Sequence, residues 1–129
     1  MTAELTVLVL AALMQMGQII LYSTLANRQV DIDYALSPRD TPRQLSGIAG
    51  RAQRAMNNHF EGLILFTIAA LVVHVTGQST WLTTACAWAY LAARILYVPA
   101  YIFGLSPWRS VVWGIGWLAT AIMLVAALI

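Results

Sequence analysis

The chain has 129 residues, 60% of them hydrophobic and 9% charged, with a formal net charge of +2. A soluble domain carries about 25% charged residues, so this balance excludes an ordinary soluble globule and predicts one membrane domain over residues 1–129. The positive charges are all arginine and are dispersed along the chain, which excludes the clustered basic face of a nucleic-acid-binding protein.

The first apolar segment runs over about residues 5–26. Glu4 is its only nearby charge. A cleaved signal would open with a basic region and carry a shorter apolar stretch, so this segment predicts a retained membrane helix. A polar connection follows over residues 27–50, marked by Asp31, Asp33, Ser37-Pro38-Arg39-Asp40 and Thr41-Pro42-Arg43. These are turn-forming and helix-starting residues. The second segment covers about 52–76, the third 80–103 and the fourth 109–129. Each has close to the ~20 residues that a bilayer crossing requires. Gly77-Gln78-Ser79 and Gly104-Leu105-Ser106-Pro107 are tight connections, and short connections make antiparallel neighbours. The expected fold is therefore all-α, an integral membrane four-helix up-down bundle. Pro99 is expected to kink the third helix.

Arg28, Arg39, Arg43, Arg51 and Arg54 flank the first connection, and Arg109 follows the third. Positively charged loops stay in the cytoplasm. Both connections are thus expected to be cytoplasmic and both termini outside. The brevity of the chain and its lack of targeting segments predict a multi-pass protein of a bacterial inner membrane.

Two polar stripes interrupt the apolar pattern. Arg54, Asn58 and Glu61 are spaced by four and three, and so are Arg94, Tyr97 and Tyr101 in the reverse order. Each set shares one helix face. Glu61 lies ~24 Å before the Gly77 turn and Arg94 ~21 Å after Thr80, at the helical rise. In antiparallel helices both charges reach a similar depth, where an ionisable group is costly unless it pairs or binds something. Glu61 and Arg94 are expected to neutralise each other. Arg51, Arg54, Arg94 and Arg109 then leave surplus positive charge facing into the bundle, which suits a small ligand with several carboxylates. The exclusive use of arginine fits such a site through its planar fork, and fits a GC-rich genome equally. Arg51 also reads as a membrane-end anchor.

Other candidates carry less. His59 and His74 are ~22 Å apart along one helix, too far to share a metal, and His59 is expected toward the lipid headgroups. Trp81, Trp108 and Tyr22 read as interface anchors. Trp113 and Trp117 read as a packing pair. Cys86 reads as a small buried hydrophobe, because one thiol makes neither a disulfide nor a redox pair.

The pattern Arg51-x-x-Arg54-Ala-x-x-Asn58-x-x-Glu61, followed by Arg94-x-x-Tyr97-x-x-x-Tyr101 and Arg109, resembles the membrane-associated proteins in eicosanoid and glutathione metabolism (MAPEG). The resemblance covers all four helices and the long first connection. It implies a homotrimer in the membrane lipid that binds glutathione between subunits as co-substrate, with no metal. It places glutathione's charged ends on Arg54, Asn58 and Glu61, with Arg94, Tyr97 and Tyr101 beside them. Arg109 would activate the thiol, and Arg28 is a looser match to a further contact. Met56, Asn57, Gly62 and Trp113 depart from the eicosanoid-forming branches, so an eicosanoid substrate is without support.

Two functions follow as expectations. One is a glutathione-dependent transferase or peroxidase acting on a lipophilic electrophile or hydroperoxide. The other is a non-catalytic trimeric binding or scaffold protein of the same fold, for which helix–helix pairing explains the polar stripes. A transporter would call for broken, repeated helices, and neither is present in the sequence.

Overall fold

The computed structural model describes residues 1–28 and 47–129. Among the described residues the chain forms four helices, α1 (Ala3–Ala26), α2 (Gly47–Val75), α3 (Trp81–Ile102) and α4 (Trp108–Leu128). All four are long and apolar enough to cross a membrane. The all-α bundle expected from the sequence is thus the observed fold.

The largest difference in boundaries is at α2, which begins at Gly47 rather than near residue 52. Two glycines made Gly47–Gly50 read as loop, yet Ala49 and Gly50 are buried and the helix is extended by more than a turn. With 29 residues, α2 is longer than a ~30 Å hydrocarbon slab needs at ~1.5 Å per residue. Arg51 and Arg54 lie near its start. The aspartates and prolines of the first connection lie outside the described residues.

Helix ends are set by local chemistry. α2 and α3 both stop at a glycine with left-handed backbone, Gly77 at φ 66° and Gly104 at φ 65°. Beyond each, an amide reaches back across the turn: Gln78 N donates to Val73 O at 3.0 Å and Leu105 N to Ala100 O at 2.8 Å. This satisfies carbonyls the helix end would otherwise leave unpaired, and glycine carries the conformation without strain. α3 starts with a reciprocal cap in which Thr80 N donates to Thr83 Oγ1 at 2.8 Å and Thr83 N to Thr80 Oγ1 at 3.3 Å. It continues through Pro99 to Ile102.

α1 packs on α2 and α3, and α4 packs on α3 and α2; α1 and α4 share no contact among the described residues. α2 and α3 therefore form the middle of the bundle. The core is rich in alanine, with Ala11, Ala69, Ala70, Ala87 and Ala119 around Val7, Phe66, Tyr90 and Met123. Small side chains let helix backbones approach closely where lipid supplies no hydrophobic drive. Phe66 and Tyr90 stack with ring centroids 4.1 Å apart, tying α2 to α3. Leu13, Ile20, Ile68, Leu96, Leu118 and Val125 point outward and are exposed, as a lipid-facing surface requires.

Candidate functional site

The arginine-bearing ends of α2, α3 and α4 meet in one polar cluster. Arg54 on α2 donates from Nε to Tyr101 Oη on α3 at 3.0 Å. Arg109, in the first turn of α4, holds its guanidinium carbon 5.0 Å from the centre of the same Tyr101 ring. Arg94 lies with its guanidinium carbon 4.5 Å from the Tyr97 ring centre and donates from Nη2 to Asn58 Oδ1 at 3.0 Å. The two tyrosine rings are 5.6 Å apart. Three cations are thus gathered around two aromatic rings, whose negative faces partly offset the repulsion among them.

Two clefts open on this cluster. A shorter one, about 260 Å³, is lined by Asn58, Tyr97, Tyr101, Arg109, Ser110 and Trp113. A longer one, about 320 Å³, is lined by Asn58, Glu61 and Arg94 and continues past Gly62, Tyr90, Trp117 and Thr120 to Leu65, Ala121 and Leu124. Its first part is polar and its far part apolar. Of the eight residues expected at the site, Asn58, Glu61, Arg94, Tyr97, Tyr101 and Arg109 line these clefts. Arg54 joins them through Tyr101. Arg28 is exposed just beyond α1 and lines neither cleft.

The expected Glu61–Arg94 pair is not formed among the described residues. The long Arg94 side chain reaches Asn58 instead, three residues before Glu61, and Glu61 is left exposed. Depth along the helices was a fair guide, since both charged groups line one cleft; it could not say which way the arginine bends. His59 does not face headgroups. It is fully buried, with Nδ1 2.7 Å from Gln15 Oε1 on α1. Ala52, Ala55, His59, Phe66, Ala70 and Val73 are all buried on α2, so His59 falls on the inner face and Asn58 is turned away toward α4. Trp113 and Trp117, read as packing, both line the long cleft. Arg51 donates from Nη1 to Ile102 O at 3.1 Å, so it secures the end of α3.

Three polar groups were missed. Glu4, Gln15 and Gln18 are buried along one face of α1 with Val7 and Ala11, and their spacings of three and four carry that signal. Glu4 is fully buried at the opposite end of the bundle. Its carboxylate accepts from Ser79 Oγ at 2.9 Å and from Thr83 Oγ1 at 2.6 Å, joining the start of α1 to the start of α3. Other buried polar atoms have no hydrogen-bond partner among the described residues: Tyr90 Oη, Arg94 Nε, His59 Nε2 and both amide atoms of Gln18.

Chemically, the arginine end offers donors for anionic oxygens, a carboxylate at Glu61 for a cation, and an apolar groove leading away. The chain matches the model of the MAPEG family over residues 3–129. A match of this extent shows the family, and the chain belongs to it. A search of curated proteins finds no match.

Proposed function

We propose that this MAPEG family chain is a glutathione-dependent transferase or peroxidase that acts on a lipophilic electrophile or hydroperoxide. The observation that carries the reading is the gathering of Arg54, Arg94 and Arg109 around Tyr97 and Tyr101 at the mouths of two clefts. Glutathione has two carboxylates, one ammonium group and one thiol. Arg54 and Arg94 suit the carboxylates through charge-assisted hydrogen bonds, and the exposed Glu61 suits the ammonium group. Arg109 suits the thiol, since a nearby cation lowers a thiol pKa and the thiolate is the nucleophile. In the transfer reaction the thiol gives up its proton, and the thiolate sulfur would bond to an electrophilic carbon as that carbon's bond to its leaving atom breaks. The leaving atom keeps the electron pair, departing as the ion if it is chloride and taking up a proton if it is an epoxide oxygen. Lipophilic substrate would enter from the bilayer along the apolar part of the long cleft.

The same reading has the chain assemble as a homotrimer that completes each site with a neighbouring subunit, with Arg28 as a further contact to glutathione. It sets the arginine end in the cytoplasm of a bacterial inner membrane and both termini outside. One observation favours the rival, a non-catalytic trimeric binding or scaffold protein: Arg54 and Arg94 already hold Tyr101 and Asn58. Turnover separates the two. Purified protein in mild detergent is mixed with glutathione and a model electrophile such as a chloronitrobenzene. Conjugate formation faster than in protein-free detergent supports the transferase, and glutathione oxidation faster than background with a lipid hydroperoxide in its place supports the peroxidase. Rates equal to background in both assays remove the enzyme.

A further inference from the structure

Tyr90 and Arg94 stand one helical turn apart on the same face of α3, and both side chains are nearly inaccessible, at 2% and 3% exposure. Both line the long cleft. Arg94 spends one guanidinium nitrogen on Asn58, while its Nε and the Tyr90 hydroxyl have no partner among the described residues. A buried donor left unpaired is unfavourable, and two of them on one wall call for an acceptor between them.

The positions facing this wall carry no side chain. Gly62 on α2 faces the Tyr90 hydroxyl, and a Cβ at that position would lie 3.7 Å from Tyr90 Oη. Gly116 on α4 faces the same pair, with Arg94 Cδ at 3.6 Å and Tyr90 Cδ2 at 3.7 Å from a Cβ placed there. Helices α2 and α4 thus present no side chain where α3 presents its two free donors. Glu61 lines the same cleft as Arg94. Their opposite charges leave this stretch nearly neutral, which favours an uncharged oxygen over a second carboxylate. Beyond Tyr90 the lining turns to Leu65, Ala121 and Leu124, a surface for hydrocarbon.

The geometry points to an oxygen-binding subsite in which Tyr90 Oη and Arg94 Nε hold the uncharged acceptor oxygen of a long-chain lipid, a carbonyl, epoxide or hydroperoxide, with its hydrocarbon chain along Leu65, Ala121 and Leu124. Tyr90 is a specificity residue on this account, selecting oxygenated chains over plain hydrocarbon. A donor site left empty by an analogue without the acceptor loses much of its affinity. The subsite rests on the proposed function only for whether its occupant reacts, because occupancy requires no glutathione.

The test is isotope-edited infrared spectroscopy of the whole protein in lipid nanodiscs, with a long-chain methyl ketone carrying carbon-13 at its carbonyl. Signal from protein-free nanodiscs is subtracted. The parent protein should show an additional carbonyl band shifted to lower wavenumber by the two donors. Tyr90→Phe keeps the ring that stacks on Phe66 and removes only the hydroxyl. It should lose most of that shift, with an unfolding midpoint equal to or above the parent's. Gly62→Leu should abolish the bound band while the Tyr90 hydroxyl remains. A parent protein without the shifted band, or a Tyr90→Phe variant that retains it in full, overturns the subsite. So does a large fall in the unfolding midpoint of Tyr90→Phe, which would mean that the hydroxyl has a structural partner. Glutathione is absent throughout, so these outcomes stand apart from the turnover assays, whose joint failure would remove the proposed function alone.

Discussion

The two ends of the bundle handle buried polar groups in opposite ways. Where α1 and α3 begin, Glu4 is fully buried and its carboxylate is shared by Ser79 and Thr83 at hydrogen-bonding distance. No orphaned polar atom was found there among the described residues. Where α2 begins and α3 ends, three arginines crowd two tyrosines and two clefts open; along the longer cleft Arg94 Nε and, in the middle of α3, Tyr90 Oη lack partners among the described residues. A satisfied cluster rigidifies a fold, whereas a partly satisfied one is held at a cost that function can offset. The contrast fits the proposed reading, in which the Glu4 end serves stability and the arginine end binds the ligand.

That division can be broken by mutation. The largest expected effect is at the closed end, where Glu4→Ala takes the carboxylate acceptor from the Ser79 and Thr83 hydroxyls and removes this hydrogen-bonded link from α1 to α3. A loss of about 3 kcal/mol is expected, from two hydrogen bonds to a charged acceptor. Denaturant titration from mild detergent measures it, and the glutathione Kd of the folded fraction should stay unchanged. At the open end, Arg54→Ala or Arg94→Ala should raise the glutathione Kd by about thirtyfold, or ~2 kcal/mol for a charge-assisted bond. Isothermal calorimetry reads this, and the unfolding free energy should move far less than in Glu4→Ala. If an arginine variant instead unfolds as Glu4→Ala does with Kd unchanged, the cluster is structural. The smallest effect is expected at Arg51, which holds the Ile102 carbonyl. Arg51→Ala should cost about 1 kcal/mol of stability, speed amide exchange near the end of α3 and leave Kd alone.

Much of this arrangement was legible in the sequence, and the limits have physical causes. Four helices, their tight connections and the two polar stripes follow from apolar lengths, glycine stops and spacings of three and four. Those features are local. The pairing of Arg94 with Asn58 rather than Glu61 depends on how a long, flexible side chain turns in a space bounded by three helices. His59 and Asn58 are neighbours in sequence, and a rotation of about 100° between them on a helix sends one inward to Gln15 and the other toward the clefts. Only the packing of α1 on α2 decides which. Glu4 read as a lone early charge because its partners, Ser79 and Thr83, are far away in the chain. Its place on one face with Val7, Ala11, Gln15 and Gln18 was the available signal. Trp113 and Trp117 stand one turn apart with ring centroids 6.4 Å from each other, a spacing that serves packing or a cleft wall equally. The start of α2 at Gly47 was hidden by Gly47 and Gly50, which favour turns in isolation; Gly50 and its neighbour Ala49 become buried against the bundle.

The central claim is that the arginine end binds glutathione and that Arg109 favours its thiolate. Thiolate absorbance in the ultraviolet, recorded by stopped flow as purified protein meets glutathione near neutral pH, tests it most directly. The parent protein should form thiolate in proportion to occupied sites. Arg109→Ala should bind glutathione with little change in Kd yet form almost none, since each unit of thiol pKa that the cation supplies is worth ~1.4 kcal/mol. Arg109→Lys should recover part of the signal, because a cation remains without the planar fork. Thiolate formation by Arg109→Ala at the parent's level would contradict the role of Arg109. Absence of thiolate and of glutathione binding in the parent protein would contradict the claim as a whole.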